Sequence, residues 1–247
     1  MSFHEPKLLA VCKKQYAYKL KTNLGIFFSL MIVQLLALLL SLNGSASMGA
    51  GSSSMVINLK LISGDIIIVF TLIWAFIIGN TVAGNACRLD FSFVSTRLTS
   101  NLASVCLLAT AALVGGITAT LSGVLLRLLV YWFQDVYTNN SLYLAPLTLL
   151  SGSYVTALYA FLLSVLGYFF GMLTQRNKAL TIVIPVLFLG SLFIEARRAG
   201  EVQLLTTIFV FFVRETSMLL FSMKVVCAAA LLFATVILFT NRMEVRR

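Results

Sequence analysis

The side chains able to do chemistry in this 247-residue chain are few and scattered. His4 is its one histidine and lies in a polar N-terminal stretch. Imidazole metal clusters, histidine acid-base catalysis and Ser-His triads are thereby excluded together. Cys12, Cys87, Cys106 and Cys227 form no CxxC pair and no ligand spacing, so neither a zinc site nor a disulfide framework is indicated. No GxxxxGK[ST] phosphate loop, HExxH helix, GxSxG elbow or EF-hand loop occurs. The chain is therefore expected not to be an enzyme, with no catalytic residue, no metal and no cofactor of its own.

What remains are polar groups inside apolar runs. Gln34 and Asn80 each interrupt such a run. Each suits either an interhelical hydrogen bond or contact with a passing substrate. Gly167 and Gly171 stand at GxxxG spacing, and Gly115 is followed by Gly116, which suits close helix packing. Asp65 and Arg127 fall at run edges. A proton- or sodium-coupled carrier needs an ionisable or cation-coordinating group near the membrane midplane, so this pattern disfavours one.

The elements that must carry these groups follow from composition. Of the residues 60% are apolar and 11% charged, against about 25% charged in an ordinary soluble domain. The long apolar runs match the length needed to cross a bilayer. We read one all-α membrane domain over 1–247, with six transmembrane helices at 24–42, 66–83, 102–123, 152–173, 179–194 and 225–240. Residues 1–23 form a cytoplasmic amphipathic interfacial helix. Leu8, Leu9, Cys12, Tyr16 and Leu20 lie on one of its faces, with Lys13, Lys14 and Lys21 mostly off it. Its basic lead and the 19-residue apolar run after it are too long for a cleaved signal peptide.

Between the spans, the Gly- and Ser-rich NGSASMGAGSSSM reads as a flexible loop, and VLLRLLVYWFQDVY as an interfacial aromatic anchor. Leu142 to Leu150, around Pro146, is expected at the outer interface. Residues 195–224 form an extracellular insertion whose run Leu204 to Val213, with Phe209, Phe211 and Phe212, is ten residues long and too short to span. It reads as a re-entrant segment.

Charge orients the spans. With the N-terminus inside, the inner segments carry twelve basic and three acidic residues, the outer ones six and five. The balance is +9 inside and +1 outside, so both termini are expected in the cytoplasm by the positive-inside rule. In the inner loop Arg88 to Asn101, Phe91 and Phe93 alternate among polar groups, which suits either a docking knob for a partner or a loop folded on itself.

Taken together, KKQYAYKLKTN, the inner loop NACRLDFSFVSTRLTS, the insertion before the last span and the terminal LFTNRMEVRR resemble the membrane subunits of the type-2, exporter-like permease family of ABC transporters. The resemblance implies a bacterial cell-membrane permease that pairs with a second identical or homologous permease and with cytoplasmic ABC ATPase subunits, which bind the ATP and Mg. It implies ATPase docking through Arg88, Asp90, Phe91, Phe93 and Arg97 of the inner loop and Lys13, Lys14 and Tyr16 of the N-terminal helix. The inner loop departs from the Glu-Arg and Gly-Thr pattern of many members, offering Arg88, Asp90 and Thr96. Few charges in the spans imply an apolar or amphipathic cargo: a peptide, a lipid-like molecule or a drug. Membrane lipid is the other expected partner and nucleic acid is not. The alternatives are an ion-gradient-driven carrier or channel and a non-transporting membrane immunity or scaffold protein.

Overall fold

A computed structural model describes residues 8–42, 46–52, 55–61, 64–89, 97–133, 145–176, 182–183, 186, 190–191, 211 and 217–241. In hydrocarbon every backbone N–H and C=O must be satisfied within its own segment, so charge-free apolar runs become helices. The principal elements are α1 (Leu8–Thr22), α2 (Gly25–Leu42), β1 (Ala46–Ser52), β2 (Met55–Leu61), α3 (Asp65–Leu89), α4 (Arg97–Phe133), α5 (Pro146–Arg176) and α6 (Met218–Asn241). Five of them, α2 to α6, are long and apolar enough to cross a membrane.

Neighbour contacts give the helix directions. Gln34 lies opposite Thr71 and Ser29 opposite Trp74, so α2 and α3 are antiparallel. Gly116 lies against Ala157 and Asn101 against Tyr168, so α4 and α5 are antiparallel as well. Phe76 meets Gly167, Asn80 meets Gly171 and Gly84 meets Gln175, a constant step along both chains that makes α3 and α5 parallel neighbours. Tyr159 lies tilted against Phe221 at 4.9 Å and Tyr168 stacks on Phe233 at 5.6 Å, so α6 also runs parallel to α5. The start of α2, the start of α4 and the last turns of α6 therefore share one end of the bundle, where α1 also packs.

The core is divided along the bundle. Near the α1 end Leu30, Trp74, Ala75, Leu107, Ala111 and Tyr168 pack together, with Tyr16 and Leu20 against them. Near the other end Ala37, Ile67, Ala119, Leu126 and Val130 form a second cluster. Exposed apolar side chains run along α2 (Phe28, Met31, Leu35, Leu39) and α6 (Leu219, Met223, Leu231, Leu238). Such faces suit lipid tails and would be an aggregation surface in water.

Several expected boundaries shift. The expected span 66–83 is a helix to Leu89, past the small residues GNTVAGNA, because Gly84 packs toward Gln175 and Asn85 bonds Asn23. The span 102–123 is part of the 37-residue α4, about 55 Å long, which takes in the end of the expected inner loop and most of the aromatic anchor. Leu126 and Val130, four apart, bury against the ends of α2 and α3 and keep the helix going, while Tyr131 and Trp132 stay exposed. The expected outer-interface piece around Pro146 begins α5, for proline suits the first helical turn, where its missing N–H costs nothing.

The expected flexible loop after the first span includes strand β1, paired antiparallel with β2 from Ala46↔Leu61 to Ser52↔Met55. MVINLKL, with Val56, Ile57 and Leu59, supplies strand-forming residues that composition alone masks beside the glycines and serines. The insertion expected to reach 224 gives way to helix at Met218. The expected span 179–194 and the re-entrant residues Leu204, Phe209 and Phe212 lie mostly or wholly outside the described residues.

Candidate functional site

Helix α1 sorts its residues sharply. Cys12, Lys19 and Asn23, just past its end, are buried, with Tyr16 and Leu20 half-buried, while Lys13, Lys14, Ala17, Tyr18 and Lys21 are exposed. The inward set 12, 16, 19, 23 steps by four, three and four, one stripe of a helix. A lysine in that stripe must find acceptors, because an ammonium taken from water without them is costly. Lys19, 5% exposed, donates from Nζ to the Ser100 carbonyl at 2.9 Å, Ser100 Oγ at 2.7 Å and Ser104 Oγ at 2.8 Å. These charge-assisted bonds clamp α1 to the first turns of α4.

Further polar contacts spread from this clamp. Asn23 Nδ2 donates to the Lys19 carbonyl at 2.8 Å, and Asn85 Nδ2 donates to Asn23 Oδ1 at 3.2 Å, tying the α1–α2 corner to α3. Tyr168 OH donates to Asn101 Oδ1 at 2.9 Å, tying α5 to α4. The α1 end of the bundle is thus girdled by polar bonds. Sequence reasoning missed Lys19, Asn23, Ser100, Asn101, Ser104 and Tyr168. The one legible signal was Lys19 falling on the Cys12–Tyr16 face.

A second polar layer sits midway along α2. Gln34, 3% exposed, directs Nε2 to Thr118 Oγ1 at 3.0 Å, Thr71 Oγ1 at 3.3 Å and the Gly115 carbonyl at 3.4 Å. The Thr71 hydroxyl spends its own proton on the Ile67 carbonyl and the Thr118 hydroxyl on the Val114 carbonyl, which leaves oxygen lone pairs for Gln34. One amide therefore staples α2, α3 and α4, the interhelical role expected of a polar group in a span. Among the described residues, the groups bonded in this layer are an amide, two hydroxyls and a backbone carbonyl, none of them titratable. Asn80, the other expected pathway residue, is exposed on α3 beside Gly171 and is not brought to Gln34.

The expected docking residues separate. Lys13 and Lys14 are exposed on α1, whereas Tyr16 turns inward against the core. Arg88 lies in the last turn of α3 and Arg97 begins α4. Asp90, Phe91 and Phe93 lie outside the described residues. Of the expected re-entrant set, Phe211 has the Lys224 ammonium of α6 at 4.2 Å from its ring centroid, a cation–π contact. Cys12, Cys106 and Cys227 are free thiols. Burial pushes the Cys12 thiol up, neighbouring Cys106 adds to the rise and Lys19 opposes it. Among the described residues no three or more His, Cys, Asp or Glu side chains gather as a metal site.

Five apolar helices and two buried polar layers define a helical, membrane-embedded protein. No protein-family model, curated protein or solved structure matches the chain.

Proposed function

We propose that this chain is the permease subunit of an ATP-driven exporter of the ABC type, with six spans and both termini in the cytoplasm. The observation that carries the reading is the Lys19 clamp. It ties α1 to the turns of α4 that immediately follow residues 90–96, so force on that segment and on α1 enters the bundle as one motion. A partner ATPase docking at Asp90, Phe91 and Phe93, between Arg88 and Arg97, would push on this joint, and a pathway between two permeases would open outward. By linkage, cargo bound in that pathway changes ATP turnover in return.

Three further features support it. Helices α5 and α6 are parallel neighbours, so α6 begins at the end of the bundle opposite to where α5 stops, which favours a further crossing within 177–217. Lys13, Lys14, Lys19, Lys21, Arg88, Arg97 and Arg176 gather at the α1 end, which favours that end as the cytoplasmic one. The ionisable residues described in the spans, Asp65, Arg127 and Lys224, lie toward helix ends, which favours an energy source outside this chain and an apolar or amphipathic cargo.

A pull-down of the tagged chain in mild detergent, followed by an ATP hydrolysis assay, tests the reading. Wild type is expected to bring down an ATPase that a Phe91→Ala, Arg97→Ala double variant loses. A folded wild-type preparation without ATPase would overturn it. Transport that survives ATP depletion but stops when an ion gradient collapses would replace it with the carrier.

A further inference from the structure

We propose that the outward face of α1, with Lys13, Lys14, Tyr18 and Lys21, is a binding surface for anionic phospholipid headgroups. The inference is independent of the ATPase reading and assigns Lys13 and Lys14 to lipid.

The first argument is the sorting of charge. Lys13, Lys14, Ala17, Tyr18 and Lys21 are exposed at spacings that form one helical stripe, and Tyr18 is 43% exposed. The α1 sequence LLAVCKKQYAYKLKT holds no acidic residue to neutralise them. The opposite stripe is occupied by Cys12, Tyr16, Lys19 and Leu20, and the Lys19 bonds to Ser100 and Ser104 keep α1 from turning over.

The second argument is depth. Gln34 stands at the middle of the 18-residue α2 and meets Gly115, which sets the midplane level on α4. Ser104 and Ser100, the partners of Lys19, precede Gly115 by eleven and fifteen residues, about 16 and 22 Å along the helix. The hydrocarbon ends about 15 Å from the midplane and the headgroups reach about 20–22 Å. Lys19 therefore lies at headgroup depth. Helix α1 packs against α4 around these serines, and its exposed lysines lie on the opposite side of the same helix.

The third argument is continuity. Beyond Thr22, the exposed side chains Leu24 and Phe28 are large and apolar and open the lipid-facing side of α2. The ammonium groups and the tyrosine ring stand where the acyl chains give way to phosphates, a pattern of interfacial helices. Each lysine near an anionic surface favours it by about fivefold, an effect that fades beyond a Debye length.

The test uses the full chain purified in detergent and measures its thermal unfolding with added phosphatidylglycerol or phosphatidylcholine. Phosphatidylglycerol is expected to raise the melting temperature above phosphatidylcholine, and the difference to shrink with salt. A Lys13→Gln, Lys14→Gln, Lys21→Gln variant is expected to lose most of that difference while melting normally in phosphatidylcholine. A Lys60→Gln, Lys224→Gln variant, altered at the opposite end, is expected to keep it. Retention of the full difference by the α1 triple variant, or its loss in the opposite-end variant, overturns the proposal. So does a wild type indifferent to phosphatidylglycerol that captures an acidic soluble protein through the same lysines. Absence of an ATPase leaves this melting comparison unaffected, so the two proposals fail separately.

Discussion

Two kinds of seam hold this bundle together by opposite means. Between α3 and α5 the contact is made by missing side chains. A Cβ on Gly79 would run into the Ser164 carbonyl, one on Gly167 into the Phe76 carbonyl, and one on Gly171 would stand 2.6 Å from Ala83 Cβ. Between α2 and α4, and between α1 and α4, the contact is made by polar side chains, Gln34 on Gly115 and Thr118 and Lys19 on Ser100 and Ser104. Lipid offers no hydrophobic drive to press helices together, so association rests on close van der Waals contact or on hydrogen bonds. Backbone-to-backbone contact has one good register, whereas hydrogen bonds have alternative acceptors along a helix. The glycine seam is therefore the more tightly constrained of the two.

The contrast is broken most directly at its rigid side. Gly167→Val puts a branched side chain where the Phe76 carbonyl lies, and we expect a loss of about 3 kcal/mol or more, from overpacking that backbone cannot relieve. Size-exclusion profile and thermal unfolding in detergent read it. A monodisperse protein melting like wild type would mean that α3 and α5 are not in contact at this seam.

Lys19→Met removes three hydrogen bonds from the polar side, and a loss of about 2 kcal/mol is expected, the scale for bonds to a charged group. Protease cleavage within α1 should then appear, which Gly167→Val reaches only through global unfolding. Gln34→Leu should cost less, about 1 kcal/mol, since Thr71 and Thr118 keep the bonds their hydroxyls make within their own helices. Unfolding midpoints of single and double variants check the order. Loss of transport far beyond this stability change would put Gln34 in the cargo path.

The smallest effect sharpens the comparison by its sign. Gly123 is helical, and a Cβ there meets nothing within 4 Å, so Gly123→Ala should stabilise by about 0.5 kcal/mol through helix propensity alone. A destabilisation like that of Gly167→Val would show that glycine matters throughout α4 and α5, not at the seam alone.

The sequence carries much of this in plain view. Leu24 to Leu42 reads as a span because an uninterrupted apolar run has no other way to satisfy its backbone, and α2 covers Gly25–Leu42. The Gly167–Gly171 spacing announces a close helix contact, though not that α3 supplies it. Gln34 stands out as the polar residue in its run, yet its acceptors come from helices far along the chain. The ends of α4 and α5 were hidden because Leu126, Val130 and Pro146 are compatible with either a helix or an interface until neighbours are present.

Lys19 marks where reading along the chain stops. Beside Lys13, Lys14 and Lys21 it is one more solvated cation, and its partners Ser100 and Ser104 are ordinary small residues at the start of a span. Composition and run length alone determined that the chain is helical and lives in a bilayer, because the desolvation of backbone and charge depends on residue type and local order. Which lysine is buried, which glycines touch and which helices run side by side were decided by tertiary structure. Those outcomes depend on the close approach of groups from distant segments, a geometry that neither segment carries by itself.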